Sequence, residues 1–106
     1  MNFGIIISTS EPETVWNAYR LANFSLKEGD KVKVFLLAKG VESETGSEKY
    51  NVKDQISSFL KDGGEIRACG TCMKSRQMDS GDTCLLSSME DLYHIVKESD
   101  KVLTFG

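Results

Sequence analysis

Short apolar, β-branched runs alternate along this chain with segments that carry helix-start and helix-stop signals. That alternation constrains the fold more than any other feature. Asn2 to Ser8 (NFGIIIS) reads as a buried strand. Ser10-Glu11-Pro12-Glu13 follows with Ser-x-x-Glu capping-box spacing, and its proline falls in the first helical turn, where a missing N–H is harmless. The pattern predicts a helix to about Glu28, stopped by Gly29. Lys31 to Leu37 (KVKVFLL) alternates and then turns fully apolar, as a second strand does. Ala38 to Tyr50 is a polar loop of 13 residues, a length associated with functional or mobile segments. Asn51 caps a second helix over Val52 to Asp62, closed by Gly63-Gly64, and Glu65 to Cys69 is a short third strand. Gly70 to Met78 opens a loop and a short helix, and Asp79 to Leu86 is a polar loop. Ser87-Ser88-Met89-Glu90 is a second capping box, which starts a helix to about Glu98, and Lys101 to Phe105 (KVLTF) is the last strand.

The predicted order is β-α-β-α-β-α-α-β, which calls for right-handed crossovers and a mostly parallel sheet. In such folds ligands and reacting groups gather beyond the carboxyl ends of the strands. Those ends are Ser8-Thr9-Ser10, Leu37 to Gly40 and Cys69-Gly70. The 106 residues make one domain, with no repeat or linker, and 40% hydrophobic against 27% charged residues is ordinary globular composition. No apolar run approaches the roughly 18 residues of a membrane span. Met1-Asn2-Phe3-Gly4 leads into the first strand without a basic segment, so no secretory signal is expected and the cytoplasm is the default. Thirteen basic against 16 acidic residues give a net charge of −3, which excludes generic nucleic-acid binding, because that needs clustered Lys and Arg.

In the first helix Ala18, Tyr19, Ala22 and Leu26 fall within about 60° of Val15, and Trp16 and Leu21 widen the apolar arc to roughly 220°. Phe24 stands on the polar side near Asn17, Arg20 and Lys27. An arc this wide points to association through the helix flank. In the last helix Met89, Leu92, Tyr93 and Val96 share one face, while His94 lies with Glu90, Lys97 and Glu98 on the other.

Three cysteines, an odd number, make a disulfide framework implausible and put thiol or metal chemistry first. Cys69 ends a predicted strand and Cys72 follows at C-x-x-C spacing, in Ala68-Cys69-Gly70-Thr71-Cys72-Met73-Lys74-Ser75-Arg76. A thiol between a strand end and a helix start meets unpaired N–H groups that favour thiolate. Lys74 and Arg76 add positive charge, and Gly70 permits close backbone approach. Three chemistries fit. Thiol–disulfide exchange of the thioredoxin kind lacks its cis-proline, since Pro12 sits at a helix start. A zinc site would need Cys69, Cys72, Cys84 and His94, and His94 lies on a solvated face, so no metal and no cofactor are expected. Persulfide chemistry suits a partly exposed thiolate, with Cys69 accepting sulfane sulfur and Cys72 resolving it. Cys84 is a candidate further thiol. Ser10 and the N–H groups near it, with Gly70, Thr71 and Lys74, are candidates for holding an anionic substrate. The glycine-rich nucleotide motifs are absent. The charged loop carrying Glu42, Glu44, Glu48 and Lys49 is a candidate lid over Cys69. Asp79, Asp82 and Glu90 fit no calcium loop.

Over essentially its whole length the chain resembles the DsrE/DsrF-like family of sulfur-relay proteins. The resemblance rests on ordered segments: Glu11-Pro12-Glu13-Thr14 with Trp16-Asn17-Ala18 and Arg20-Leu21-Ala22; Gly29-Asp30 with Val32 to Leu36; Lys39-Gly40-Val41-Glu42; Gly63-Gly64; Ala68-Cys69 with Arg76 seven positions on; and Ser99 to Phe105. It implies a flavodoxin-like three-layer sandwich with a parallel sheet flanked by helices. It also implies homo- or hetero-oligomers, often trimers or hexamers, and sulfur-donor and sulfur-acceptor proteins as partners. The family's persulfide-bearing cysteine matches Cys69 and its downstream arginine matches Arg76. The glycine that commonly follows that arginine is Gln77 here, and Cys72 places the chain nearest a C-x-x-C branch of small stand-alone proteins.

Overall fold

A computed structural model describes residues 1–77 and 85–106. Among these residues five strands form one all-parallel sheet: β1 (Asn2–Ile7), β2 (Lys31–Leu36), β3 (Glu65–Cys69), β4 (Leu85–Ser87) and β5 (Lys101–Phe105), in the order β4-β3-β2-β1-β5. The helices are α1 (Pro12–Lys27), α2 (Val52–Lys61), α3 (Gly70–Ser75) and α4 (Met89–Glu98), and a 3-10 helix spans Ala38–Thr45. The architecture is α/β, a parallel sheet flanked by helices, as the alternation predicts. No helix among the described residues is long and apolar enough to cross a membrane.

Crossover handedness sorts the helices between the faces. From β1 to β4 the chain steps in one direction across the sheet, so right-handed connections place their helices on the same face. From β4 to β5 it returns past three strands, which sends α4 to the opposite face. Strand periodicity follows suit. Ile5, Ile7, Val32, Val34, Leu36, Ile66 and Ala68 pack with Val15, Ala18, Tyr19 and Ala22 of α1, Val52, Ile56 and Phe59 of α2 and Met73 of α3. Phe35 and Cys69 point the other way and meet Ile95 of α4. Each fully buried Ile, Val or Phe contributes roughly 1.5–3 kcal/mol by leaving water.

Four elements depart from the sequence reading. Leu85–Ser87, at the junction of a predicted loop and a predicted cap, is an edge strand paired with Arg67–Cys69. Much of the 38–50 loop is the 3-10 helix, whose Val41 and Ser43 are buried. The cap of α1 is Glu11, not Ser10: its carboxylate accepts the N–H groups of Glu13 and Thr14 at 3.2 and 2.7 Å. The cap of α4 is Ser88 with Asp91, not Ser87 with Glu90. Asn51 caps α2 as expected. On α4 the core side is Ile95 and Leu92, while Met89, Tyr93 and Val96 are exposed at 64%, 57% and 47%. On α1, Phe24 is 61% exposed, and Trp16 is half-buried between Tyr50 and the Arg20 guanidinium.

Candidate functional site

The carboxyl ends of β2 and β3 lie side by side, paired through Leu36 and Ala68. The chain leaves β3 at Cys69, which is the N-cap residue of α3, and one helical turn brings Cys72 back beside it. Cys69 is 6% exposed among Phe35, Ile95, Leu37 and Leu92. Cys72 is half-buried and touches the apolar clusters of both sheet faces. Its sulfur accepts two donors. The Ala38 backbone N–H reaches Cys72 Sγ at 3.2 Å, and the Cys69 thiol hydrogen-bonds to it. These two contacts, with a smaller contribution from the Arg76 guanidinium, hold the Cys72 thiol below its ordinary pKa. Cys69, although it caps α3, makes no side-chain hydrogen bond to the helix N–H groups. The thiolate-favouring contacts that the sequence assigns to Cys69 fall on Cys72.

Ala38 is fixed from both sides. Its φ of 51° is in the left-handed region, and the turn it begins is pressed against β1. The Leu37 N–H bonds to Ile7 O at 3.1 Å and the Gly40 N–H to Leu37 O at 2.8 Å. A Cβ on Gly40 would stand 1.9 Å from Ile7 O, so only glycine fits there. Arg76 closes the other side. Its Nε donates to Glu42 Oε2 at 2.7 Å and its Nη1 to the Cys72 carbonyl at 3.2 Å. It ties the end of α3 to the 3-10 helix and forms one wall of a cleft of about 470 Å³ with Val41, Glu42, Glu44, Thr45 and Lys53.

The remaining predicted residues spread out. Gly70 and Thr71 open α3, with Gly70 close to the Ser87 carbonyl of β4, and Lys74 is exposed in the last turn. Ser10 lies past the end of β1, two strands from β3, where Thr9 and Glu11 make the turn hydrogen bonds. His94 pairs with Glu98 on α4, Nδ1 to Oε2 at 3.1 Å, and lines a pocket with Asn2 and Lys31 at the amino ends of the strands. It is therefore at the wrong end of the sheet to join the thiols. Among the described residues no group of three or more His, Cys, Asp or Glu side chains is arranged to hold a metal ion. Cys84, Asp79 and Asp82 lie outside the described residues. Sequence reasoning missed the Ala38 N–H, because a backbone donor has no residue signature. Glu42, a lid candidate by its sequence, is the ion-pair partner of Arg76.

This is an open parallel α/β protein with a dithiol at the carboxyl end of its third strand. The chain belongs to the DsrE/DsrF-like family, whose model matches residues 1–105. Uncharacterized protein MJ0989 of Methanocaldococcus jannaschii is 34% identical over 114 residues, covering 99% of this chain and 100% of that protein. Uncharacterized protein MK0008 of Methanopyrus kandleri is 35% identical over 100 residues, covering 88% and 83%. Among solved structures, the ychN protein from E. coli superposes with a TM-score of 0.83 at 22% identity, covering 99% and 100% of the two chains. MTH1491 of Methanobacterium thermoautotrophicum, a protein of unknown function, superposes with a TM-score of 0.73 at 15% identity, covering 96% and 97%.

Proposed function

We propose that this protein is a cytoplasmic sulfur carrier, a single DsrE-like domain that holds sulfane sulfur as a persulfide on its Cys69/Cys72 pair and passes it from a donor protein to an acceptor protein. The observation that carries this reading is a half-buried Cys72 sulfur that accepts the Ala38 N–H at 3.2 Å beside a second thiol. A thiolate stabilised by N–H donors attacks a sulfane sulfur, and the same donors stabilise the persulfide anion that forms. Arg76 is a positioning residue, because its guanidinium holds the Cys72 carbonyl and Glu42 together. Gly70 and Thr71 open α3 between the two thiols, and Lys74 in its last turn is the cation offered to an anionic donor or a partner's edge, while Ser10 stands apart at the end of β1. The family resemblance supports the same reading and adds a homo-oligomer, a trimer or hexamer.

The test is intact mass spectrometry after incubation with a cysteine desulfurase and cysteine. The wild type gains one sulfur, and the double variant Cys69→Ser/Cys72→Ser gains none. A second reading, a dithiol redox module, draws on the contact between the two thiols. It predicts a Cys69–Cys72 disulfide with no sulfur gained at any time.

A further inference from the structure

We infer that Cys72 is the sulfur that attacks the donor first and that Cys69 is the resolving thiol, the reverse of the order the sequence suggests. This rests on the sulfur-carrier reading and assigns the two thiols their places within it. Three observations carry it. Cys72 is half-buried, whereas Cys69 is 6% exposed and roofed by Phe35, Leu37, Leu92 and Ile95, so an incoming sulfur meets Cys72. The fixed Ala38 N–H donates to Cys72 Sγ, and no helix N–H donates to the Cys69 sulfur. The Cys69 thiol hydrogen-bonds to Cys72, so the Cys72 sulfur has a second donor beside the Ala38 N–H.

The chemistry then runs in two balanced steps. The Cys72 thiolate attacks the outer sulfur of a donor R–S–SH. The Sγ–S bond forms, the donor S–S bond breaks, and R–S⁻ leaves with the electron pair. Ala38 keeps its N–H on the loaded sulfur, and the outer sulfur ionises. When no acceptor takes that sulfur, Cys69 attacks Cys72 Sγ. The Cys69–Cys72 bond forms, the persulfide bond breaks, and the outer sulfur takes both electrons and the Cys69 proton and departs as HS⁻. Sulfane sulfur is reduced and the two cysteines are oxidised to a disulfide. An external dithiol returns that disulfide to the starting state. Cys69, buried beneath Cys72, is placed to act on a neighbour and not on solvent.

The experiment uses glutathione persulfide as the donor and peptide-level mass spectrometry on the full chain. In Cys69→Ser the added sulfur sits on the Cys72 peptide and persists, because nothing resolves it. In the wild type it appears on Cys72 and gives way to HS⁻ and a Cys69–Cys72 disulfide. In Cys72→Ser loading slows by roughly tenfold or more, the loss expected when the stabilised thiolate is gone. Sulfur loading on Cys69 at the wild-type rate in Cys72→Ser, or no loading in Cys69→Ser, overturns the order. Wild type that takes up no sulfur at all overturns the carrier reading. The order is then decided on reduced wild type with limiting iodoacetamide, which needs no variant. Cys72 alkylated first upholds it, and Cys69 alkylated first overturns it.

Discussion

At the scale of single residues, two backbone positions carry testable consequences. Gln77 has a φ of 55°, in the left-handed region, where a side chain costs roughly 1–2 kcal/mol. It follows the last turn of α3, the place where helices favour glycine. Gln77→Gly therefore raises stability by about 1 kcal/mol in urea unfolding, and an unchanged midpoint would contradict the strain. Gly40 is the opposite case. Gly40→Ala drives a methyl into Ile7 O, and moving backbone to relieve it costs about 2–3 kcal/mol, as overpacking does. That shift also displaces Ala38, so thermal melting and the Cys72 alkylation rate fall together. A third residue-scale outcome concerns Glu42. Glu42→Ala frees Arg76 from its 2.7 Å partner. Cys72 alkylation then changes less than when Cys69→Ala removes the thiol donor, because Cys69 holds the Cys72 pKa down more than the Arg76 charge does.

Among the elements, helix starts and the chain entry to β2 are fastened by carboxylates. Glu11 accepts the Thr14 and Glu13 N–H groups, Asp91 accepts the Ser87 hydroxyl and the Ser88 N–H, and Asp30 accepts the Ser25 hydroxyl and the Met1 ammonium. In each case hydrogen bonding to the ionised form is the leading cause of a lowered pKa. These groups bind protons less tightly folded than unfolded. Their contribution is complete above the ordinary carboxylate range of about pH 4 and is lost as pH falls through the lowered values. Melting temperature should drop on acidification below about pH 4, and Asp91→Asn should flatten that slope; an unchanged slope would detach the α4 cap from acid stability. The same elements show what a sequence can and cannot reveal. The four strands with apolar runs and the glycine stop of α1 were readable because burial and φ restrict residue choice there. The three-residue β4 was not, since so short an edge presents no period. Both capping boxes slipped by one residue, because a Ser-x-x-Glu spacing cannot choose between adjacent candidates. The thiol pair was legible from its spacing. Which of the two sulfurs accepts a backbone donor was not, because that N–H comes from Ala38, in the turn after β2 and 34 positions away in sequence.

For the whole molecule, the exposed apolar side chains bear on assembly. Met89, Tyr93 and Val96 recur at helical spacing on α4, and Phe24 with Leu21, 38% exposed, forms a smaller pair on α1. Patches of this kind mark association surfaces. The proposed homo-oligomer predicts a light-scattering mass that is a multiple of 11.8 kDa, lowered by Tyr93→Lys more than by Phe24→Lys. A wild-type mass of one chain would remove the oligomer from the proposal.

The order β4-β3-β2-β1-β5 also has a consequence for synthesis. As the chain emerges, β2, β3 and β4 can each dock on the strand before it. One flank of β1, carrying Ile5 to Ile7, finds its partner only when residues 101–105 have appeared. A ribosome stalled before that point displays an open apolar strand edge, the kind of surface on which nascent chains join one another.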